Sequence, residues 1–341
     1  MTHPPPRTAP PCFLITIDTE GDNLWSRPRT VTTRNAEYLE RFQALCEECG
    51  LRPTWLTNHE MIASPTYRRF AEDVLARDVG EIGMHLHAWD SPPLVPLTDD
   101  DLATHPYLIE FPDAVMKEKI HALTATLEDA LGVKMVSHRA GRWGFDERYA
   151  QLLVDEGYKV DCSVTPLISW QSSLGDPRGT GGPDYRRFPQ HPYWLDLGDI
   201  SRPGRSPLLE VPATVVSGRP AVVRALESLC AGMPRPLRPV GAFGGRVIRR
   251  LFPETLWLRP TGDNERTLLR VAGRAARGDY AELMFHSSEL MPGGSPTFPT
   301  AASIERLYGD LRTLFEWVRS RFRGATLAEF YGEYAAACPP A

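Results

Sequence analysis

Positive charge is not in surplus in this chain: 38 lysines and arginines stand against 43 aspartates and glutamates, a formal net charge of -5. No basic field is available to gather nucleic acid or an anionic membrane surface, so a neutral or modestly charged substrate fits better. Long apolar runs are missing too. Nothing approaches the roughly 18 consecutive apolar residues of a membrane span, and the proline-rich segment Met1–Pro11 lacks the apolar core of about 7–15 residues that a secretory signal carries. Residues 1–11 read as a flexible lead-in. The expected location is cytoplasmic, with peripheral attachment at the inner membrane only where a partner supplies it. Cysteine is sparse: Cys12, Cys46, Cys49, Cys162, Cys230 and Cys338 are scattered through 341 residues, unlike the dense spacing of a disulfide scaffold. Cys46 and Cys49 form a C-x-x-C, but they share a helical period with Tyr38, Leu39, Phe42 and Leu45, and no second pair follows. Buried thiols are the reading there.

What is present is an ordinary globular composition, 42% hydrophobic and 24% charged, able to bury a large core rather than stay disordered. Length does not force two domains, since α/β barrels commonly exceed about 200 residues as one unit. A single domain over residues 12–341 is expected, without internal repeats.

From Cys12 onward, short apolar runs alternate with stretches of helical period, the signature of βα units around a parallel sheet. The spacing predicts strands at Cys12–Ile17, Pro53–Leu56, Glu81–His87, Lys134–Arg139, Tyr158–Ser163, Leu208–Val215 and Tyr280–Phe285. Helices are predicted at Ala36–Cys49, from Ser64 to about Asp78, around Ile120–Leu131, around Tyr149–Leu153, and at Ala221–Ala231, Glu265–Arg277 and Ile304–Phe322. Residues 90–113 read as a loop. Residues 165–205, dense in glycine, proline and arginine, read as an insertion that shapes one rim of a site. About seven βα units favour a barrel, closed or irregular, over an open doubly wound sheet.

Chemistry-bearing residues gather at the ends of the predicted strands, where α/β folds collect functional groups. In Thr16-Ile17-Asp18-Thr19-Glu20-Gly21-Asp22 an apolar strand runs into three alternate carboxylates, whose crowded charge calls for a cation or a proton; an acidic turn exposed to water is the plainer alternative. His85-Leu86-His87 places two imidazoles on one side of an extended chain, so both can meet one ion. The plainer alternative there is a hydrogen-bonded strand cap. Two imidazoles and one carboxylate form an open N and O ligand set suited to a divalent metal, Zn²⁺ foremost.

With these motifs in order, and with His138-Arg139-Ala140-Gly141-Arg142, Asp161-Cys162-Ser163 and Leu283-Met284-Phe285-His286-Ser287 after them, the sequence resembles the NodB-homology polysaccharide deacetylases of carbohydrate esterase family 4. The resemblance is to the WalW-like branch linked to lipopolysaccharide biosynthesis. It implies an irregular (β/α)7 barrel, TIM-like, with Asp18 as catalytic base and Glu20, His85 and His87 holding the metal. The family usually has two adjacent aspartates and histidines three residues apart, whereas here the carboxylates are spaced one apart and Trp89 stands where the second histidine is common. Glu20 and His87 are thus substituted ligands, and Asp22 is an alternative to Glu20. Gly141 and Arg142 replace the usual Pro-Tyr.

The implied reaction is hydrolysis of an N-acetyl, or other acyl, group on a sugar of envelope polysaccharide or lipopolysaccharide biosynthesis, the carbohydrate being free, nucleotide-linked or lipid-linked. His286 is the expected proton donor to the leaving amine, which departs poorly unless protonated. Arg139 is expected to pair with Asp18 and Asp161 with His286, buried structural salt bridges being the alternative for both. Trp89 and Trp143 are candidate stacking walls for a sugar ring, against the alternative of core packing. His138 reads as a core neighbour of Arg139, and His59, His105, His121 and His191 carry no motif. Two other functions compete: a different barrel metallohydrolase, of the amidohydrolase or phosphoesterase type, and an inactive carbohydrate-binding barrel.

Overall fold

The computed structural model describes residues 10–28, 30–219, 222, 223, 229 and 254–340. Its organising strand is β1 (Cys12–Thr19), buried along its whole length, as a strand covered on both faces must be. The others are β2 (Pro53–Thr57), β3 (Glu81–Leu86), β4 (Ser137–Ala140), β5 (Val160–Asp161), β6 (Tyr193–Trp194), β7 (Leu209–Glu210), β8 (Val215–Ser217), β9 (Thr255–Trp257), β10 (Tyr280–His286) and β11 (Arg323–Gly324). The longer helices are α1 (Leu39–Glu48), α2 (Pro65–Ala76), α3 (Asp113–Leu131), α4 (Glu147–Glu156), α5 (Glu265–Ala275), α6 (Ala301–Val318) and α7 (Leu327–Ala337).

The strands join in the order β10-β1-β2-β3-β4-β5-β7-β6, with β11 added beside β1. From β10 to β7 every pairing is parallel; β6 runs antiparallel to β7, and β8 and β9 form a separate antiparallel pair. Seven parallel strands thus form a curled wall. Between β5 and β10 single backbone bonds complete the circuit: Ala213 N–H donates to Val164 O, Leu258 N–H to Thr214 O and Met284 N–H to Leu258 O. This is the irregular barrel that the order of elements implied.

The two faces of β1 have separate duties because side chains alternate across a strand. Phe13, Ile15 and Ile17 join the main core beneath the helices, where Phe13 meets Phe315 of α6 edge-on at 6.2 Å. Cys12 and Leu14 face inward, in a second cluster with Val160, Leu209, Leu327 and Phe330. Helix α7 therefore plugs the barrel at the end where the strands begin. Farther along, the inward face becomes polar: Thr16, Asp18 and then Glu20, all buried.

Several boundaries differ from the sequence reading. The predicted strand 208–215 is split into β7 and β8, because residues 211–214 leave the sheet to bridge toward β10. The fourth strand begins at Ser137 rather than Lys134, and His87 lies just past the end of β3. Helix α7 was not anticipated. Residues 165–205 are irregular, as expected, apart from β6 and isolated bridges at Ser169–Asp184 and Leu195–Pro203. Most of the predicted helix 221–231 and most of the lead-in lie outside the described residues. Cys46 and Cys49 are free thiols in and just after α1, and no helix among the described residues is long and apolar enough to cross a membrane.

Candidate metal centre

Inward-facing residues of β1, β3 and β10 reach the same end of the barrel, and their polar tips converge. Glu20 Oε2 lies 3.5 Å from His85 Nε2 and 3.2 Å from His87 Nε2, and the two imidazole nitrogens are 3.0 Å apart. All three residues are buried. His85 Nδ1 lies 2.9 Å from the Arg139 carbonyl oxygen, which can only accept, so Nδ1 carries the proton and Nε2 presents a lone pair to the cluster. The lone pair of His85, the Nε2 of His87 and a carboxylate crowded into one buried spot call for a cation or a proton among them. A tetrahedral Zn²⁺ with bonds of about 2.0–2.1 Å holds its donors about 3.3 Å apart, which the three separations match. The residues present therefore fit a divalent cation.

Asp18 stands beside this cluster and below it. Its Oδ1 accepts from Arg139 Nη1 at 2.6 Å, and its Oδ2 is 3.7 Å from His286 Nε2. Burial opposes ionisation of Asp18, but nearby positive charge, that of Arg139 foremost, outweighs it and holds its pKa below the usual carboxylate value. Arg139 is itself fully buried, donating also to Thr16 Oγ1 at 2.7 Å, to Glu282 Oε1, and to the Cys162 carbonyl at 3.1 Å. Glu282 is pushed the other way, its pKa raised by burial that Arg139 and Thr16 offset only in part. One guanidinium thus serves two carboxylates and keeps Asp18 the better ionised.

His286, at the end of β10, is the cross-strand partner of Asp18 and holds its Nε2 3.8 Å from Glu20 Oε1. Its Nδ1 faces Arg259 Nη2 at 3.1 Å and Glu289 Oε2 at 3.3 Å, and the Glu289 carboxylate also accepts the His286 backbone N–H. Glu289 is buried, yet Arg259 and His286 keep its pKa below the usual value. The Trp25 ring meets the His286 imidazole edge-on at 4.8 Å.

Above these groups opens a cavity of about 450 Å³. Trp89 forms part of its wall and stacks on His87 with centroids 4.2 Å apart. Trp143 also reaches the cavity but is 8% exposed, packed parallel to Trp170 and beneath it the Arg139 guanidinium. It is wall and core together.

Asp18, Glu20, His85, His87, Arg139 and His286 are brought together as the sequence suggested. Asp22 and Asp161 are not. Both oxygens of Asp22 are taken by the loop that leads into α1, Oδ1 by Asn35 N–H and Nδ2, Oδ2 by Thr32 Oγ1 and Arg34 N–H; Glu20 is therefore the carboxylate of the cluster. Asp161 bonds His138 Nδ1 at 2.6 Å and Ser163, so it secures the base of the barrel, and the His286 ring is oriented by Glu289 instead. Glu289 and Arg259 were missed, although a carboxylate three residues beyond His286 was a visible signal. Glu60 was missed as well: its Oε1 accepts the Gly21 N–H at 2.7 Å, directly after Glu20.

No protein-family model and no curated protein matches the chain. Among solved structures, a protein assigned as a polysaccharide deacetylase from Mycobacterium smegmatis aligns over 98% of this chain and 94% of its own, at 15% identity and a TM-score of 0.53. PuuE allantoinase aligns over 96% of this chain and 90% of its own, at 12% identity and 0.51. A 4-α-glucanotransferase from Thermococcus litoralis aligns over 96% of this chain but 41% of its own, at 13% identity and 0.52. At such identities the likeness is one of fold: the curled parallel sheet with its helices is a NodB-like (β/α) barrel.

Proposed function

We propose that the chain is a metal-dependent sugar deacetylase of the carbohydrate esterase family 4 type, hydrolysing an N-acetyl or related acyl group. The observation that carries this reading is the Glu20–His85–His87 donor cluster with Asp18 and His286 beside it. A base and an acid next to one ion site are what attack at an acyl carbon and departure of an amine require. The name of the Mycobacterium smegmatis neighbour points the same way.

Glu20, His85 and His87 would hold a divalent cation, Zn²⁺ by the chemistry of the donors, which would supply Lewis acidity toward the acyl carbonyl and a bound water. Asp18, kept ionised by Arg139, takes the proton of the attacking water on its Oδ2, the oxygen Arg139 does not hold. His286 presents Nε2 to the cavity and hands a proton to the nitrogen of the breaking C–N bond. Trp89 and Trp143 flank the ring and exclude water. Action on envelope polysaccharide or lipopolysaccharide precursors, and a cytoplasmic or inner-membrane setting, are part of this proposal.

The experiment is acetate release from a panel of N-acetylated sugars, with metal content measured alongside. About one metal per chain and release abolished by chelation are expected. Two metals per chain would favour a binuclear hydrolase, and no release from metal-loaded protein at high concentration would leave only a binding barrel.

A further inference from the structure

Three arginines line the cavity, Arg27, Arg142 and Arg259, and charge accounting separates them. Asp18 is neutralised by Arg139 from below, Glu20 belongs to the ion site, and Arg259 is matched by the buried Glu289 at 3.3 Å. Arg27 and Arg142 are left over: among the described residues neither makes an ion pair. In a chain of net charge -5, two unmatched guanidiniums at the mouth of one cavity are a local reversal of sign.

The backbone at both is unusual as well. Arg27 has φ 50° and Arg142 φ 55°, with Trp143 beside it at φ 63°. The left-handed region is strained for any residue with a Cβ. Of the six described non-glycine residues with positive φ, these three line the cavity. Two different loops are thus bent to deliver a guanidinium to the same space, the loop after β1 and the turn after β4. Trp25 and Trp89 line the same cavity and offer surfaces for a sugar ring.

We infer that the sugar accepted here carries a phosphoryl group as well as its acyl group, bound by Arg27 and Arg142. Guanidinium is the side chain suited to paired oxygens. A phosphate monoester bears close to two negative charges near neutral pH, matching two arginines, where a carboxylate bears one. The expectation of a neutral or modestly charged substrate, drawn from net charge, is thereby revised. The inference rests on the deacetylase reading for the ring and acyl group, while the anion site stands on the arginines alone.

Calorimetry on metal-loaded protein tests it without needing turnover. The probes are N-acetylglucosamine, its 1-phosphate, its uridine-diphosphate ester, glucuronate and inorganic pyrophosphate. Pyrophosphate and at least one phosphorylated sugar are expected to bind at least about tenfold more tightly than N-acetylglucosamine. The R27Q/R142Q variant should lose that advantage and R27K/R142K should keep much of it. The monoester against the diphosphate ester tells a terminal from a linked phosphoryl group. Equal binding of neutral and phosphorylated probes, no binding of any phosphorylated probe, or a preference that survives R27Q/R142Q overturns the proposal; a glucuronate affinity equal to that of the phosphates overturns the phosphoryl assignment. Acetate release is scored separately, so an anion site without deacetylation remains distinguishable from the reverse.

Discussion

Asp18 and Glu20 lie two residues apart on one face of the same chain, and their neighbours give them different work. Asp18 stands over Arg139 and is ionised without belonging to the donor cluster, whereas Glu20 faces two imidazoles. Replacing Asp18 by Asn keeps the shape and removes the base. Metal content should stay at the unsubstituted level while kcat falls by about 10²–10⁴; Glu20→Gln should lose metal instead. Loss of metal in Asp18→Asn, or a rate near that of the parent, would show that Asp18 is not the base. These residues were legible in the sequence because alternation along a strand fixes which side chains share a face. The Arg139–Asp18 pair was legible too, but the partner of Asp161 was not, since pairing across the barrel depends on strand order and register. Asp161 sits opposite His138 on the neighbouring strand, and it is this register that takes it away from His286.

At the scale of elements, the turn after β4 decides where His87 sits. A Cβ on Gly141 would lie 2.4 Å from His87 Cδ2 and 2.5 Å from the Leu86 carbonyl oxygen, well inside contact distance. The glycine is needed for close approach of two strand ends, not for a special φ. Gly141→Ala must therefore push the His87 ring out of the cluster, and metal affinity should fall by about 10–100-fold, the range seen when support of a ligand is disturbed. Metal titration followed by Trp fluorescence reads this directly, and an unchanged affinity would place His87 outside the ligand set. The long strands β1, β2, β3 and β10 were readable as apolar runs, since strands covered on both faces carry little else. The strands predicted over 158–163 and 208–215 contain β5 and β7 but are longer than them; the two-residue β6 is too short to show a period, and α7 buries only Leu327 and Phe330, too narrow a stripe to announce a helix.

For the whole molecule, the price of gathering this many carboxylates inside one barrel should appear as a dependence of stability on pH. Burial pushes the Glu60 carboxyl up to about 7, with the Gly21 N–H pulling the other way and the charge of Glu20 adding to the rise. Its Oε2 is buried without a partner, as are both oxygens of Asp90, whose pKa is raised by burial and by the charges of Glu60 and Glu20. In the unfolded chain Glu60 ionises near 4.5. Between that value and about 7 the folded protein holds a proton that the unfolded chain has released, so stability falls as pH rises through this window. The loss attributable to Glu60 is at most about 3 kcal/mol. A cation beside Glu20 removes part of the like-charge repulsion, so the comparison belongs in chelator-treated protein. Urea midpoints measured at about pH 5 and about pH 7.5 should fall for the parent and change much less for Glu60→Gln, whose amide cannot ionise. Parallel pH slopes for the two proteins would mean that Glu60 is ionised throughout, and that the charge inside the barrel is balanced by groups other than a retained proton.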